Sequence, residues 1–155
     1  MKRLLIPAAL LALAACGQAD APGAAVPSVA VTDVWCRPSP NAAPNGGCYA
    51  TFLSSTDDRL LGGATPRASQ LQIHEMSMEG GMMRMGELKD GLPLPAGEGV
   101  TLAPGGNHLM LIGLTQPLVE GETVLLTLRF GSAPEVTVQA QVRTPPVAGS
   151  GHGGH

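Results

Sequence analysis

Short runs of strand-forming residues alternate with turn residues along most of this chain. Val, Leu and Thr dominate runs such as TVLLTLRF, and VTVQAQV alternates apolar with polar positions, as a half-buried strand does. Stretches rich in Gly and Pro, such as RPSPNAAPNGG, PLPAGEG and APGG, separate the runs and mark turns. We predict strands at residues 29–36, 48–54, 60–64, 70–76, 83–88, 108–114, 123–130 and 136–142.

The number and spacing of these runs indicate the fold class. Seven to nine short strands within about 115 residues favour an all-β fold, in which two antiparallel sheets with Greek-key connections pack as a sandwich. TVLLTLRF and VTVQAQV, joined by GSAPE, predict an antiparallel hairpin. The remaining strand order does not follow from the sequence. We place this single domain at residues 29–144.

The first residues have the pattern of an export signal. Lys2 and Arg3 precede an apolar run over residues 4–15, which is shorter than the roughly 20 residues of a spanning helix. We therefore predict a signal peptide at residues 1–15. The run ends in LAACG, which is similar to a bacterial lipobox and makes Cys16 the lipidated first residue of the mature protein. The alternative is an ordinary signal peptide with a coincidental cysteine.

Composition and charge extend this picture. Residues 16–28 are rich in Gly, Ala and Pro, which predicts a flexible tether between the lipid anchor and the domain. The formal charge of the whole chain is −3, and loss of Lys2 and Arg3 with the signal peptide makes it −5. An acidic mature chain argues against nucleic-acid binding, which needs a basic surface. We expect a periplasmic monomer that is held at the membrane by its lipid.

Two cysteines lie within the predicted domain. Cys36 and Cys48 are not spaced as CxxC, so a thioredoxin-like redox motif is absent from the sequence. Export favours a disulfide between them. Two free or metal-binding thiols are the alternative.

Histidine and methionine are distributed unevenly along the chain. Of the seven methionines, five lie within residues 76–85, and another is Met110. His74 and His108 each precede a methionine by two residues, as His74-x-Met76 and His108-x-Met110. Since residues i and i+2 of a strand project from one face, each segment presents an imidazole and a thioether together.

This pairing of ligand types favours copper. Thioethers are soft ligands that match Cu(I), and imidazole suits copper in either oxidation state. A blue-copper electron-transfer site needs a cysteine thiolate, which the His/Met segments lack. Catalytic zinc prefers three His or carboxylate ligands. The alternative is structural, because methionine is a common gap filler and one histidine on an apolar strand is usually a hydrogen-bonded core residue.

The same residues carry a resemblance to the periplasmic PCu(A)C copper chaperones. The resemblance lies in the order His74, ten residues, Met85, 22 residues, His108-Leu109-Met110. The surrounding WCRPSP, GMMRM, LAPGGNHLMLIGLTQPL and GETVLLTLRF agree with it, so that it spans about residues 29–143.

The resemblance implies a cupredoxin-like β-sandwich that carries Cu(I) at one exposed end. It also implies delivery of copper to the Cu(A) centre of cytochrome oxidase, often alongside an SCO-type protein. The Cys36/Cys48 pair is not a general feature of that family, and the extra methionines blur which thioether binds. By position, the implied ligands are His74, Met85, His108 and Met110, with Met76 as an alternate or supporting ligand.

The C-terminal segment is a separate matter. Residues 145–155 end in GSGHGGH, and this Gly-rich composition predicts a disordered tail. Its His152 and His155 would either catch Cu(II) and pass it to the folded site, or bind metal weakly with no role.

Three alternatives to a copper chaperone stay open at this point. A metal-dependent hydrolase or oxidase could use the same histidines, although the sequence shows no evident general base. A structural lipoprotein could use the methionines as core. A copper-buffering or resistance protein would share the chemistry and differ only in the destination of the metal.

Overall fold

The computed structural model describes residues 25–145, which form ten β-strands. The predicted signal peptide, Cys16, most of the tether, His152 and His155 lie outside the described residues. Between residues 25 and 145, the structure holds no helix with the length and apolar character that crossing a bilayer requires. The strands are β1 (Val29–Cys36), β2 (Asn45–Ser54), β3 (Asp58–Ala64), β4 (Ala68–Glu79), β5 (Met82–Glu87), β6 (Leu92–Leu94), β7 (Gly99–Thr101), β8 (His108–Leu114), β9 (Thr123–Phe130) and β10 (Val136–Val142).

Seven of these strands close into a barrel. Neighbouring strands pair in the order β4-β8-β2-β1-β10-β9-β3, and Gly63 of β3 pairs with Leu71 of β4 to complete the ring. β5 extends the sheet beyond β4, β6 pairs with β3, and β7 pairs with β2. The prediction of an all-β fold is confirmed.

One pairing differs from the predicted antiparallel arrangement. β1 and β10 are parallel, with Trp35 opposite Gln141 and Cys36 opposite Val142. Parallel neighbours need a long connection, and here most of the domain lies between the two strands. The pattern of apolar residues specifies which face of a strand is buried, but it does not specify the direction of a distant partner.

The predicted strand boundaries agree best where the apolar pattern is clear. The bounds of β1, β8, β9 and β10 are those predicted, whereas β4 continues to Glu79, beyond its predicted end at residue 76. β6 and β7 were not predicted, because strands of three residues are too short to show a periodicity.

The core fills the inside of the barrel. Cys36 and Cys48 lie directly opposite each other on β1 and β2, are fully buried, and are joined by a disulfide. Burial of one large apolar side chain stabilises the fold by about 1.5–3 kcal/mol, so the core is the main source of stability. The largest fully buried side chains are Phe52, Leu60, Leu94, Leu109, Leu111, Leu118, Leu126 and Leu128.

β4 and β8 have one face toward the core and one face outward. Ile73 and Leu109 pair with each other and are buried on the inner face. The next pair, His74 and His108, lies on the outer face, since successive residues of a strand point to opposite sides. The apolar alternation that fixes the core therefore also fixes the direction of both histidines.

Beyond His74, β4 pairs with β5 alone in a hairpin. Gly80 and Gly81 form its two-residue turn, with φ values of 58° and 82°. A type I′ turn requires positive φ at both central positions, which glycine adopts without steric cost. All six residues of β5 are exposed, so this hairpin lies at the surface of the barrel.

Candidate metal centre

His74 and His108 occupy directly opposed positions on β4 and β8. Their ring centroids are 5.9 Å apart, and the ring planes are inclined by 47°. His108 is only 8% exposed, whereas His74 is partly buried. The fold thus brings together two histidines from distant parts of the sequence, with both rings on the outer face.

A methionine follows each histidine on the same face. Met110 lies opposite Gln72, on one side of the histidine pair. Met76 lies opposite Met85 of β5, on the other side. Because β4 and β8 are antiparallel, the two His-x-Met segments run in opposite directions and place thioethers on both sides of the imidazoles.

The structure distinguishes the two methionines on the hairpin side of the site. Met76 lies on β4, the same strand as His74, and Met85 lies one strand further out on β5. Met76 is partly buried, whereas Met85 is 49% exposed. Of these two methionines, Met76 is nearer to His74 in the strand register. All five residues predicted as ligands in the folded domain lie on one face of the sheet.

The hydrogen bond of His108 leaves one of its ring nitrogens free. Its Nδ1 lies 3.0 Å from the carbonyl oxygen of Gly106. Since a carbonyl oxygen only accepts, Nδ1 carries the proton and Nε2 keeps its lone pair. A metal-binding histidine commonly donates its other ring N–H to a backbone carbonyl in this way.

His74 has the opposite assignment of its ring nitrogens. Its Nε2 lies 2.9 Å from the side-chain Oε1 of Gln72, and the Gln72 Nε2 donates to Oε1 of Gln70 at 3.0 Å. The Gln72 oxygen is therefore an acceptor, and His74 carries its proton on Nε2. The Nδ1 of His74 is buried and has no hydrogen-bond partner among residues 25–145. Buried polar atoms are almost always paired, so this lone pair is available to a ligand.

The surroundings of His74 favour its neutral form. Burial is the main cause that lowers the pKa of His74, and the nearby His108 lowers this pKa further. Glu87, which lies opposite His74 on β5, acts in the other direction. A neutral imidazole is the form that binds a metal ion.

An open cavity of about 380 Å³ adjoins the site on the side of β2. His108, Met110 and Tyr49 line it, together with residues 37–40. Gly47 lies opposite Met110 and also lines the cavity. A side chain at Gly47 would begin 3.3 Å from the Tyr49 hydroxyl, so glycine keeps the space beside Met110 open.

Two groups that shape the site were not predicted from the sequence. These are the Gln72 side chain and the Gly106 carbonyl, which set the tautomers of the two histidines. The role of Gln72 could have been inferred from its position two residues before His74, which places both side chains on the same face of the strand. No sequence pattern marks the Gly106 carbonyl.

Comparison with known proteins assigns the chain to a family. The family model described as "Putative lipoprotein LpqE-like" matches residues 29–142. The chain belongs to the LpqE-like family. A curated relative of this LpqE-like protein, "Putative lipoprotein Lxx21020" of Leifsonia xyli subsp. xyli (strain CTCB07), is 35% identical over 150 residues. The match covers 89% of this chain and 87% of the relative.

Solved structures similar to this LpqE-like protein are PCuAC domains. The copper-bound PCuAC domain from PmoF2 has 27% identity and a TM-score of 0.63, and the match covers 79% of this chain and 97% of that domain. The Cu(I) form of DR1885 from Deinococcus radiodurans has 31% identity and a TM-score of 0.57, with 81% of each chain covered. The resemblance to PCuAC proteins and the cupredoxin-like β fold are therefore confirmed for this LpqE-like protein.

Proposed function

We propose that this LpqE-like protein is a copper chaperone that acts in the periplasm, held at the membrane by a lipid on Cys16. The names of its family and of its Leifsonia relative both describe lipoproteins, which supports export and anchoring. The N-terminal pattern of Lys2 and Arg3, an apolar run and LAACG supports the same location.

The cargo is Cu(I), held by imidazole nitrogen and thioether sulfur. The observation that carries this assignment is the opposed pair His74 and His108, in which each ring has one nitrogen without a hydrogen bond among residues 25–145. The similar PmoF2 domain is copper-bound, and the similar DR1885 structure holds Cu(I). The proposed ligands are Nδ1 of His74, Nε2 of His108, and the sulfurs of Met110 and Met85, with Met76 as the alternate to Met85.

This donor set suits a protein that must hold copper and then release it. Thioethers favour Cu(I) over harder ions, and unlike thiols they do not form disulfides in an oxidising compartment. His108 is nearly buried, whereas Met85 is 49% exposed. A receiving protein could therefore displace Met85 first and the imidazoles afterwards, so that copper changes ligands one at a time.

The proposed destination is the Cu(A) centre of cytochrome oxidase, reached with an SCO-type partner. The likeness to PCuAC domains supports this destination. We further propose that His152 and His155 catch Cu(II) ahead of the folded site, since His-rich tracts bind metal. The protein would act as a monomer and without enzymatic turnover.

Copper binding is tested by competition with a chromogenic Cu(I) chelator under anaerobic conditions. Parent protein, His108→Ala and Met110→Leu are compared, with circular dichroism as the check on folding. Loss of a ligand should weaken binding by more than about 100-fold, because loss of a group that merely orients a ligand already costs about 10- to 100-fold. Binding by both variants equal to that of the parent would overturn the proposed site.

Delivery is tested separately from binding. A deletion strain grown at low copper should lose cytochrome oxidase activity, and added copper or the parent gene should restore that activity. A gene carrying His108→Ala should fail to restore it. If the deletion leaves oxidase activity intact at low copper but lowers the tolerated copper concentration, the protein is a buffering or resistance protein instead.

A further inference from the structure

The β4–β5 hairpin has one face made of methionine. Directly opposed residues of an antiparallel pair project to the same side, and Met76 opposes Met85 while Met78 opposes Met83. These four residues, here named the methionine ladder, lie on the same face as His74. The second rung, Met78 and Met83, is the one nearer the Gly80–Gly81 turn.

The ladder is not part of the hydrophobic core. Met78 is 64% exposed, Met83 is 54% exposed and Met85 is 49% exposed. A methionine that fills a gap in a core packs against buried neighbours, whereas these three side chains are exposed to solvent. Core packing therefore does not account for the second rung.

The reverse face of the hairpin has a different character. Glu75, Ser77 and Glu79 lie there, and Arg84 forms a 2.9 Å ion pair with Glu79. Met82 lies opposite Glu79 and is also on this reverse face, 62% exposed. The sequence thus places four of the five hairpin methionines on one face and Glu75, Glu79 and Arg84 on the other.

We propose that Met76, Met78 and Met83 form a second Cu(I) site, located between the turn of the hairpin and the His74–His108 site. This inference rests on the proposed function, because the second site would supply the first. Three thioethers without an imidazole make a softer and weaker site than the His/Met set, and one that selects Cu(I) over divalent ions.

The strand geometry brings these sulfurs within reach of one ion. Cβ atoms of directly opposed residues are about 4.5–5.5 Å apart, and diagonal neighbours are about 7–8 Å apart. Methionine has three rotatable side-chain bonds, so sulfurs from both rungs can approach a common point above the hairpin. Met78 and Met83 are exposed, so movement of these two side chains toward Met76 displaces only water.

The position of the ladder indicates how the second site would act. Copper bound near the turn lies at the most accessible part of the hairpin, and Met76 belongs to both the ladder and the surroundings of His74. Transfer inward exchanges one Cu–S bond for another and then for a Cu–N bond. The ion stays Cu(I) throughout, so no electron donor or acceptor is needed.

The test is a Cu(I) titration of the full mature chain carrying His152→Ala and His155→Ala, which removes the tail histidines. Methionine methyl groups labelled with ¹³C report each thioether by NMR. The first equivalent should shift Met85 and Met110, and the second should shift Met78 and Met83. The Met78→Leu/Met83→Leu double variant should bind one Cu(I) where the parent binds two.

Met82→Leu is the matched control, since Met82 is equally exposed but lies on the reverse face, and it should keep two ions. A parent that binds a single ion, or a Met78→Leu/Met83→Leu variant that still binds two, overturns the second site. The variant His74→Ala/His108→Ala separates the two proposals. It should lose the first ion and keep the second, whereas unchanged binding of both ions would overturn the His/Met site and leave the ladder standing.

Discussion

Gln72 holds His74 in one tautomer through a hydrogen bond of 2.9 Å between the imidazole Nε2 and the side-chain Oε1. The two residues lie two positions apart on the outer face of β4, so the strand itself sets their relative position. The bond leaves the buried Nδ1 of His74 without a proton. A group that orients a ligand in this way contributes to metal affinity without touching the metal.

Replacement of Gln72 by leucine should weaken Cu(I) binding by about 10- to 100-fold, the usual range for loss of an orienting group. Competition with a chromogenic chelator measures the change. Gln139→Leu, at an exposed position of β10, is the matched control and should bind as the parent does. Equal affinity of parent and Gln72→Leu would show that the amide does not orient His74.

The choice between Met76 and Met85 as a ligand can be decided by two leucine variants. Met85→Leu should weaken Cu(I) binding more than Met76→Leu, because the resemblance to PCu(A)C proteins assigns the ligand to Met85. Absorption spectroscopy at the copper edge should count one sulfur fewer in Met85→Leu. Met82→Leu, on the reverse face, should change neither quantity. A greater loss of affinity for the first Cu(I) equivalent in Met76→Leu would assign the ligand of the His/Met site to the methionine that lies beside His74 on β4.

Gly63 is expected to be essential for closure of the barrel. It pairs with Leu71 of β4 and also with Leu128 of β9, and an added Cβ would overlap the backbone carbonyl of Thr127. Overpacking in a core costs about 1–3 kcal/mol, and a backbone atom cannot move aside as a side chain can. Gly63→Ala should therefore lower the free energy of unfolding by about 3 kcal/mol, measured by urea titration.

Gly99→Ala is the control for this substitution. An added Cβ at Gly99 on β7 would meet no atom within 4 Å, so its effect on stability should be small. If Gly63→Ala unfolds at the same urea concentration as the parent, β3 and β9 are not held as closely as the structure indicates.

The sequence predicted the strands well where each strand carried its own pattern. VTVQAQV alternates, and its strand has the predicted bounds, whereas the three-residue β6 and β7 lack a readable period. The parallel pairing of β1 with β10 was missed for a different reason. It joins Trp35 to Gln141 across most of the domain, and local pattern carries no information on distant partners.

The same limit explains which features of the candidate metal centre the sequence predicted and which it did not. The spacing of His108 and Met110 correctly predicted that both side chains lie on the same face of β8, because the alternation of side chains along a strand depends only on neighbouring residues. That His74 lies opposite His108 depends on the pairing of β4 with β8, which residue spacing does not specify, and the motif resemblance implied only that both histidines bind the same ion. The second rung of the ladder, Met78 and Met83, became recognisable only from the hairpin register.

The disulfide should stabilise the domain without affecting copper. Cys36 and Cys48 are 12 positions apart and fully buried, whereas the His/Met site lies on the outer face. Closure of a loop near this length is worth about 3 kcal/mol. The Cys36→Ala/Cys48→Ala variant should unfold at lower urea than the parent and keep the parent's Cu(I) affinity while folded.

Reduction of the parent provides the comparison for this variant. Dithiothreitol should lower the urea midpoint of the parent and leave that of the double variant unchanged. A double variant that folds but loses Cu(I) binding would mean that the cysteines contribute to the metal site.

Asp58, at the start of β3, is hydrogen-bonded to the turn between β9 and β10. Its Oδ1 accepts hydrogen bonds from the backbone N–H groups of Arg59 at 2.7 Å and Ser132 at 2.9 Å, and its Oδ2 accepts one from Ala133 at 2.8 Å. Burial on its own raises the pKa of Asp58, but the backbone hydrogen bonds of Arg59, Ala133, Ser132 and Gly131 together outweigh it and lower this pKa. The ionised form is therefore favoured in the folded protein.

This lowered pKa predicts how the contribution of Asp58 depends on pH. A carboxyl group whose pKa is lower in the folded state stabilises the protein above its unfolded pKa of about 3.9, and this stability is lost as the pH falls through the folded pKa. The free energy of unfolding of Asp58→Asn at pH 7 should therefore be lower than that of the parent by about 1 kcal/mol, because the backbone N–H groups lose a charged acceptor. Urea titrations at pH 7 and at pH 3 should show this difference shrinking at the lower pH. A difference that is the same at both pH values would show that the charge of Asp58 does not contribute, and that only the shape of its side chain holds the turn.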